Sequence, residues 1–233
     1  LIISLHMPKS GGTSFKKVLK GEFKYSFHTD NKDRPINKSL GRRVQDAERF
    51  RKKFKLIVKP YHKIFNIKCI DGHFLPYKYI HYEGNDGVKF VTWLRDPLER
   101  LASHYYYWFR SYNKKKSSYL HKKIVEENWS FEKFMFSEEM KNFYHKFLYK
   151  FPVENFEFIG ITEYFDEDLS YFTNKYLHTS IKTIPKFNTN PGKDGAYIKD
   201  QDVRNELMEF HHLDYDIYNY ALRKRKDRVD DQS

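Results

Sequence analysis

Apolar residues come in short runs set between long polar stretches. Residues 1–5 form the first run and read as a short buried strand. A polar, glycine-containing loop follows over residues 6–14. Residues 15–19 then resume a helical pattern that Gly21 is placed to end. Residues 21–39, with Asn31, Asp33 and Pro35, read as a loop, and residues 39–54 have the composition of a charged helix. Short apolar runs at 56–58 and 64–67 precede Cys69, Ile70, Asp71, Gly72, His73 and Phe74, a strand end passing into a loop. Residues 88–94 form the second strong strand. Asp96 as N-cap and Pro97 at the first helical position then start a helix through residues 98–112. Residues 119–150 are helical and rich in aromatic side chains, with Ser130 capping a helix that opens at Phe131. A strand at 156–160 and a helix at 166–176 follow. Residues 185–200 read as a long loop of the kind that forms binding lids. Residues 200–223 are a last helical region.

Strands alternating with helices predict an α/β chain. The expected architecture is a P-loop-like three-layer fold with a central, mainly parallel sheet flanked by helices. The expected organisation is one domain over residues 1–222 and a frayed, charged C-terminal tail over 223–233. The chain has 233 residues, enough for one substantial core, and an aromatic share of 18 % argues against disorder. A formal net charge of +12 points to an anionic partner without choosing among nucleotide, glycan, nucleic acid or lipid surface. Basic and aromatic residues interleave over 105–116, but no nucleic-acid module accompanies them, and no nucleic-acid partner is expected. Cys69 is the lone cysteine, which removes an intrachain disulfide and any cysteine-based zinc motif. No apolar run reaches the roughly 18 residues of a membrane span. A cytoplasmic setting is the most compatible expectation, with an anchor or targeting segment before Leu1 left open.

Three groups are candidates for chemistry. The first is Lys9, Ser10, Gly11, Gly12, Thr13 and Ser14 between a strand and a helix. Backbone N–H groups at such a junction cradle phosphate. The lysine precedes both glycines, so this is not a Walker A loop. The same residues also suit an ordinary glycine-rich turn. The second group is Arg95 at a strand end with Ser103 eight residues on, placed to share one phosphate. The other reading pairs Arg95 with Asp96 and leaves Ser103 as a small helix residue. Arg100 faces the same choice. The third is His73, either a base that takes a hydroxyl proton or a packing histidine.

Together these stretches resemble the PAPS-dependent sulfotransferases, in particular the carbohydrate (heparan-type) O-sulfotransferase branch. Pro8, Lys9, Ser10, Gly11, Gly12, Thr13 and Ser14 resemble that family's 5′-phosphosulfate loop. The run from Val91 to Tyr105 resembles its 3′-phosphate strand and helix, and Gly72, His73 and Phe74 the segment bearing its base. The run from Phe158 to Leu169, Asn188, and the run from Asp214 to Ala221 also fit. The resemblance implies sulfuryl transfer from PAPS to a carbohydrate hydroxyl, with 3′-phosphoadenosine 5′-phosphate as product and no metal required. It implies catalytic roles for His73, as general base, and Lys9, on the leaving phosphate. Ser10, Gly11, Gly12, Thr13 and Ser14 would hold the 5′ side, and Arg95 and Ser103 the 3′-phosphate. Thr162 and Tyr164 are candidates beside adenine. Lys193 is the candidate late-loop cation, with Lys186 and Lys199 as rivals. The acceptor is expected to be an anionic or neutral glycan, met by basic residues at 42–53 and 114–116. Two alternatives are a P-loop kinase-like phosphotransferase and a non-enzymatic module that binds an anionic glycan or nucleotide.

Overall fold

The computed structural model describes residues 1–31, 33, 38–54, 57, 59–179 and 197–231. Its centre is a five-stranded parallel sheet in the order β2–β3–β1–β4–β5. The strands are β1 (Ile2–Leu5), β2 (Phe27–Thr29), β3 (Cys69–Gly72), β4 (Lys89–Leu94) and β5 (Phe158–Ile161). Ile2 of β1 pairs with Cys69 on one side and Lys89 on the other. Parallel strands need crossover connections. Those crossovers carry α1 (Gly12–Phe23), α2 (Leu40–Lys53), α3 (Lys59–Ile64), α4 (Pro97–Ser111), α5 (Tyr119–Glu126), α6 (Phe131–Met135) and α7 (Phe143–Phe147), and α8 (Phe165–Phe172), α9 (Gln201–Phe210) and α10 (His212–Asp230) follow β5. This is the three-layer α/β architecture expected from the sequence.

Alternation along each strand divides the core. Ile2, Cys69, Val91, Trp93 and Phe158 face α1 and α8, where they meet Phe15, Leu19, Leu169 and Phe172. Ile3, Leu5, Ile70, Phe90, Leu94, Ile159 and Ile161 face the opposite layer, built by α4 to α7 and α10. Burying each large apolar side chain contributes about 1.5–3 kcal/mol, so both layers are needed to hold strands of only three to six residues.

Local signals placed several ends well. Asp96 accepts hydrogen bonds from the amides of Leu98 (3.1 Å) and Glu99 (3.0 Å), with Pro97 as the first residue of α4. Ser130 accepts from the amide of Lys133 at the start of α6. Other expectations are corrected. The first helix starts at Gly12, not Phe15, and runs through Gly21 to Phe23. Residues 27–29 are a strand, not loop; it is a three-residue strand whose only sheet neighbour among the described residues is β3, so no periodicity marks it. Residues 59–64, for which no element was expected, form a helix that takes in the start of the apolar run at 64–67. The helical region after β5 splits into α8 and a wider turn at Thr173–Leu177.

The charged segment beyond residue 222 is also ordered as helix. α10 continues to Asp230 because two of its arginines are anchored on α8. Arg225 Nε (3.0 Å) and Arg228 Nη2 (2.6 Å) both reach Asp168 Oδ1. Asp168 is 2 % exposed, and its other oxygen accepts the Ile161 amide at 2.7 Å. The expected frayed tail is therefore a strap across β5. Among the described residues no helix is long and apolar enough to cross a membrane.

Because all five strands are parallel, their carboxyl ends share one edge. The segments after β1, β3, β4 and β5 all emerge there. β1 is flanked by β3 and β4, so the strand order reverses at β1, the position where open α/β sheets place ligands.

Candidate functional site

The loop after β1 is shaped by two glycines. Gly11 is the N-cap of α1 at φ 76°, in the left-handed region that glycine enters without strain. A Cβ at Gly12 would stand 2.2 Å from the His6 ring, so this close approach needs glycine. No side chain caps the start of α1 and no acidic residue stands in its first turn; the Ser14 amide turns back to the Gly11 carbonyl (3.1 Å), which leaves the amides of Gly12 and Thr13 at the helix start. They form a donor set suited to an anion. Thr13 is exposed and Ser14 is buried. Ser10 is different: it is fully buried, with Oγ 3.3 Å from the Tyr144 hydroxyl, so its side chain braces the loop from behind.

Lys9 adopts φ 66°, a conformation that costs a non-glycine residue of order 1–3 kcal/mol. Its ammonium lies 4.2 Å from the centre of the Tyr107 ring. Burial pushes its pKa down to about 8, and the nearby charges of Arg110 and Arg95 push in the same direction. Three cations thus gather at the loop. Arg95 Nη2 lies 3.5 Å from Glu99 Oε2, so its in-chain partner is Glu99 and not Asp96. Asp96 is occupied elsewhere, by Arg204 Nη2 (3.0 Å) and the Tyr215 hydroxyl (3.1 Å). Ser103 is 7 % exposed and follows Glu99 on the same helical stripe, with Tyr107 and Arg110 beyond it. Arg100 faces the other way. It is fully buried, with its guanidinium 3.9 Å from the centre of the Phe143 ring, and belongs to the core.

His73 follows β3. Its Nδ1 is 2.6 Å from the His6 carbonyl oxygen, which can only accept. Nδ1 therefore carries the proton and Nε2 is left as the basic nitrogen. The His73 amide donates to Asn31 Oδ1 at 3.0 Å, and the His6 ring lies 4.5 Å from its ring. Burial, followed by the neighbouring His6, pushes the His73 pKa down to about 4. Behind it Asp71 accepts from Ser4 Oγ (2.9 Å), with Lys16 Nζ 3.4 Å from its other oxygen.

At the end of β5, Thr162 Oγ1 donates to the Leu94 carbonyl at 2.9 Å, which ties β5 to β4. Thr162 and the Phe165 ring both border Gly11. Tyr164 is 43 % exposed, and the Arg225 guanidinium stacks 3.7 Å from its ring centre. Lys199 is exposed. Lys193, Lys186 and Asn188 lie outside the described residues.

Five contributors escaped the sequence reading. Tyr107 and Arg110 carried a usable signal, since they stand four and seven residues after Ser103 on one helix. Asn31 and Tyr144 carried none, because only tertiary folding brings them to the site, and His6, though in the loop itself, was marked by no motif.

No family model matches this chain, and no curated protein matches its sequence. Among solved structures, a sulfotransferase from Alicyclobacillus acidocaldarius is similar with a TM-score of 0.45 and 14 % identity, over 93 % of this chain and 92 % of that one.

Proposed function

We propose that this protein is a PAPS-dependent sulfotransferase that acts on a hydroxyl of a carbohydrate acceptor. The observation that carries the reading is the gathering of Lys9, Arg95 and Arg110 at the uncapped start of α1, on the sheet edge that also bears His73. Cations that disfavour one another's charged forms are stabilised by an added anion, beyond the Glu99 carboxylate already beside Arg95. A bisphosphate-bearing nucleotide is suited to do so.

In this reading the first-turn amides of α1, with Thr13 and Ser14, hold the 5′ side. Arg95 and Ser103 hold the 3′-phosphate, and Thr162 and Tyr164 stand beside the base. Lys193 is retained as the proposed late-loop contact. When bound, PAPS supplies the activated sulfuryl group. His73 Nε2 accepts the proton of the acceptor hydroxyl, and the His6 carbonyl keeps the imidazole in the tautomer that can do so. Lys9 and the amides meet the negative charge that grows on the departing bisphosphate. The proposed acceptor is an anionic or neutral glycan, of which the formal charge of +12 favours the anionic.

The test is titration with adenosine 3′,5′-bisphosphate and ATP, followed by transfer of labelled sulfate from PAPS to a glycan panel. Preference for the bisphosphate, and transfer lost in folded His73→Ala, are expected. Tighter binding of ATP, or near-normal turnover in that variant, overturns the reading.

A further inference from the structure

A cavity of about 390 Å³ lies away from the loop after β1, between the start of α2 and helices α5 and α7. Four cationic side chains line it, Lys38, Arg43, Lys123 and Lys146, against one carboxylate, Glu139. Two of the cations have acidic partners: Lys38 meets Asp46 at 2.8 Å and Lys123 meets Glu139 at 3.4 Å. Lys146 donates to the Glu138 carbonyl at 2.6 Å. Arg43 is the exception. It is 7 % exposed, and its Nε has no hydrogen-bond partner among the described residues. Burial lowers its pKa, and Asp33 acts on it only through its field. A buried guanidinium donor left unmatched costs free energy that a ligand oxygen would recover. Between the cations, Leu40, Phe143 and Phe147 supply the apolar part of the lining.

We propose that this cavity binds an organic anion, a ring with an apolar face carrying a carboxylate or sulfate group, with Arg43 as its main contact. The volume falls within the range of small-molecule pockets and suits one or two rings. Arg43 meets the anionic oxygens, Lys123 and Lys146 add long-range attraction, and Phe143 and Phe147 take the ring. The site is separate from the proposed nucleotide cradle and shares no residue with it.

The test is calorimetric titration of the full chain with 4-nitrophenyl sulfate, 4-nitrophenyl β-D-glucuronide and the neutral 4-nitrophenyl β-D-glucopyranoside. Each is run with and without saturating adenosine 3′,5′-bisphosphate. At least one anionic probe is expected to bind with the neutral glucoside excluded, and the better of the two identifies sulfate or carboxylate as the recognised group. Arg43→Gln is expected to weaken binding about tenfold or more, and Lys123→Gln about threefold. Lys9→Ala is expected to leave probe binding unchanged. Circular dichroism checks the fold, and if Arg43→Gln does not fold, Lys123→Gln decides. Equal binding of the neutral probe, no binding of either anion, unchanged affinity in folded variants, or displacement by the bisphosphate would each overturn the site. Probe binding without any bisphosphate binding would leave this site standing and remove the nucleotide reading, so the two fail separately.

Discussion

The Tyr144 hydroxyl donates to the carbonyl oxygen of Arg95 at 2.7 Å and accepts the amide of the same residue at 3.1 Å. Its one proton is thereby committed, so Ser10 donates its own to the phenol oxygen across 3.3 Å. One fully buried side chain of α7 thus joins the loop after β1 to the end of β4. Tyr144→Phe leaves three polar groups without this partner and is expected to cost about 2–3 kcal/mol in denaturant unfolding. It should also weaken adenosine 3′,5′-bisphosphate binding, because both halves of the cradle lose their common brace. An unchanged dissociation constant in the folded variant would separate the brace from the ligand.

The proposed base gives a pH signature. With its pKa near 4, His73 is neutral at pH 7 and stays so well into acid. The acid limb of kcat/KM is expected near pH 4, where an unperturbed histidine would give one near 6.5. Stability follows the same group. Between about pH 6.5 and 4 the unfolded chain binds a proton at His73 that the native chain refuses, so its contribution falls as pH falls through that window. Relative to His73→Asn, the wild type should lose stability there. A constant stability difference across the window would contradict the shift.

Lys9 acts in the opposite range. Its charge is lost as pH rises through about 8, so bisphosphate affinity is expected to fall above that pH. Lys9→Met should bind more weakly at neutral pH and show less of this decline. Parallel pH profiles for the two proteins would remove Lys9 from the ligand. In the ligand-free protein the lowered pKa makes this residue's contribution rise between about pH 8 and 10.5, since only the unfolded chain is protonated there.

Asp168 tests the strap. Removing this buried carboxylate leaves the Ile161 amide unpaired and takes the shared acceptor from Arg225 and Arg228, which keep only Glu167 and the Ile159 carbonyl. Asp168→Ala is expected to destabilise by about 3–5 kcal/mol. Truncation after Leu222 should also lower the melting temperature, whereas loss of a frayed tail would leave it unchanged.

What could be read from the sequence was what the chain encodes locally. Strands β1 and β4 announce themselves as apolar runs, and Asp96 with Pro97 marks a helix start through its own side chain and ring. The glycine loop is legible for the same reason, since Gly11 and Gly12 answer constraints within a few residues. The loop's electropositive surroundings were legible only in part. Arg95 and Ser103 stood out by position, but Arg110 belongs to the site only because α4 turns that face toward Lys9. Ser10 was read as a ligand contact by its place in the motif, and Tyr144, 134 positions away, draws its hydroxyl inward. β2 was missed because three residues carry no pattern of their own. The helical tail was misjudged because its charges look solvated until Asp168 is placed beneath them.

The parallel sheet also sets an order of assembly. β1 has no hairpin partner; Ile2 must wait for Cys69 on one side and Lys89 on the other. During synthesis, the first strand and its loop therefore leave the ribosome well before either neighbour exists. Closing such distant pairings precedes any reward from them and slows folding. The anion cradle, though written in the first fifteen residues, is consequently a late product of folding. Refolding followed by nucleotide binding should recover with the sheet as a whole, and no N-terminal fragment ending before β4 should bind.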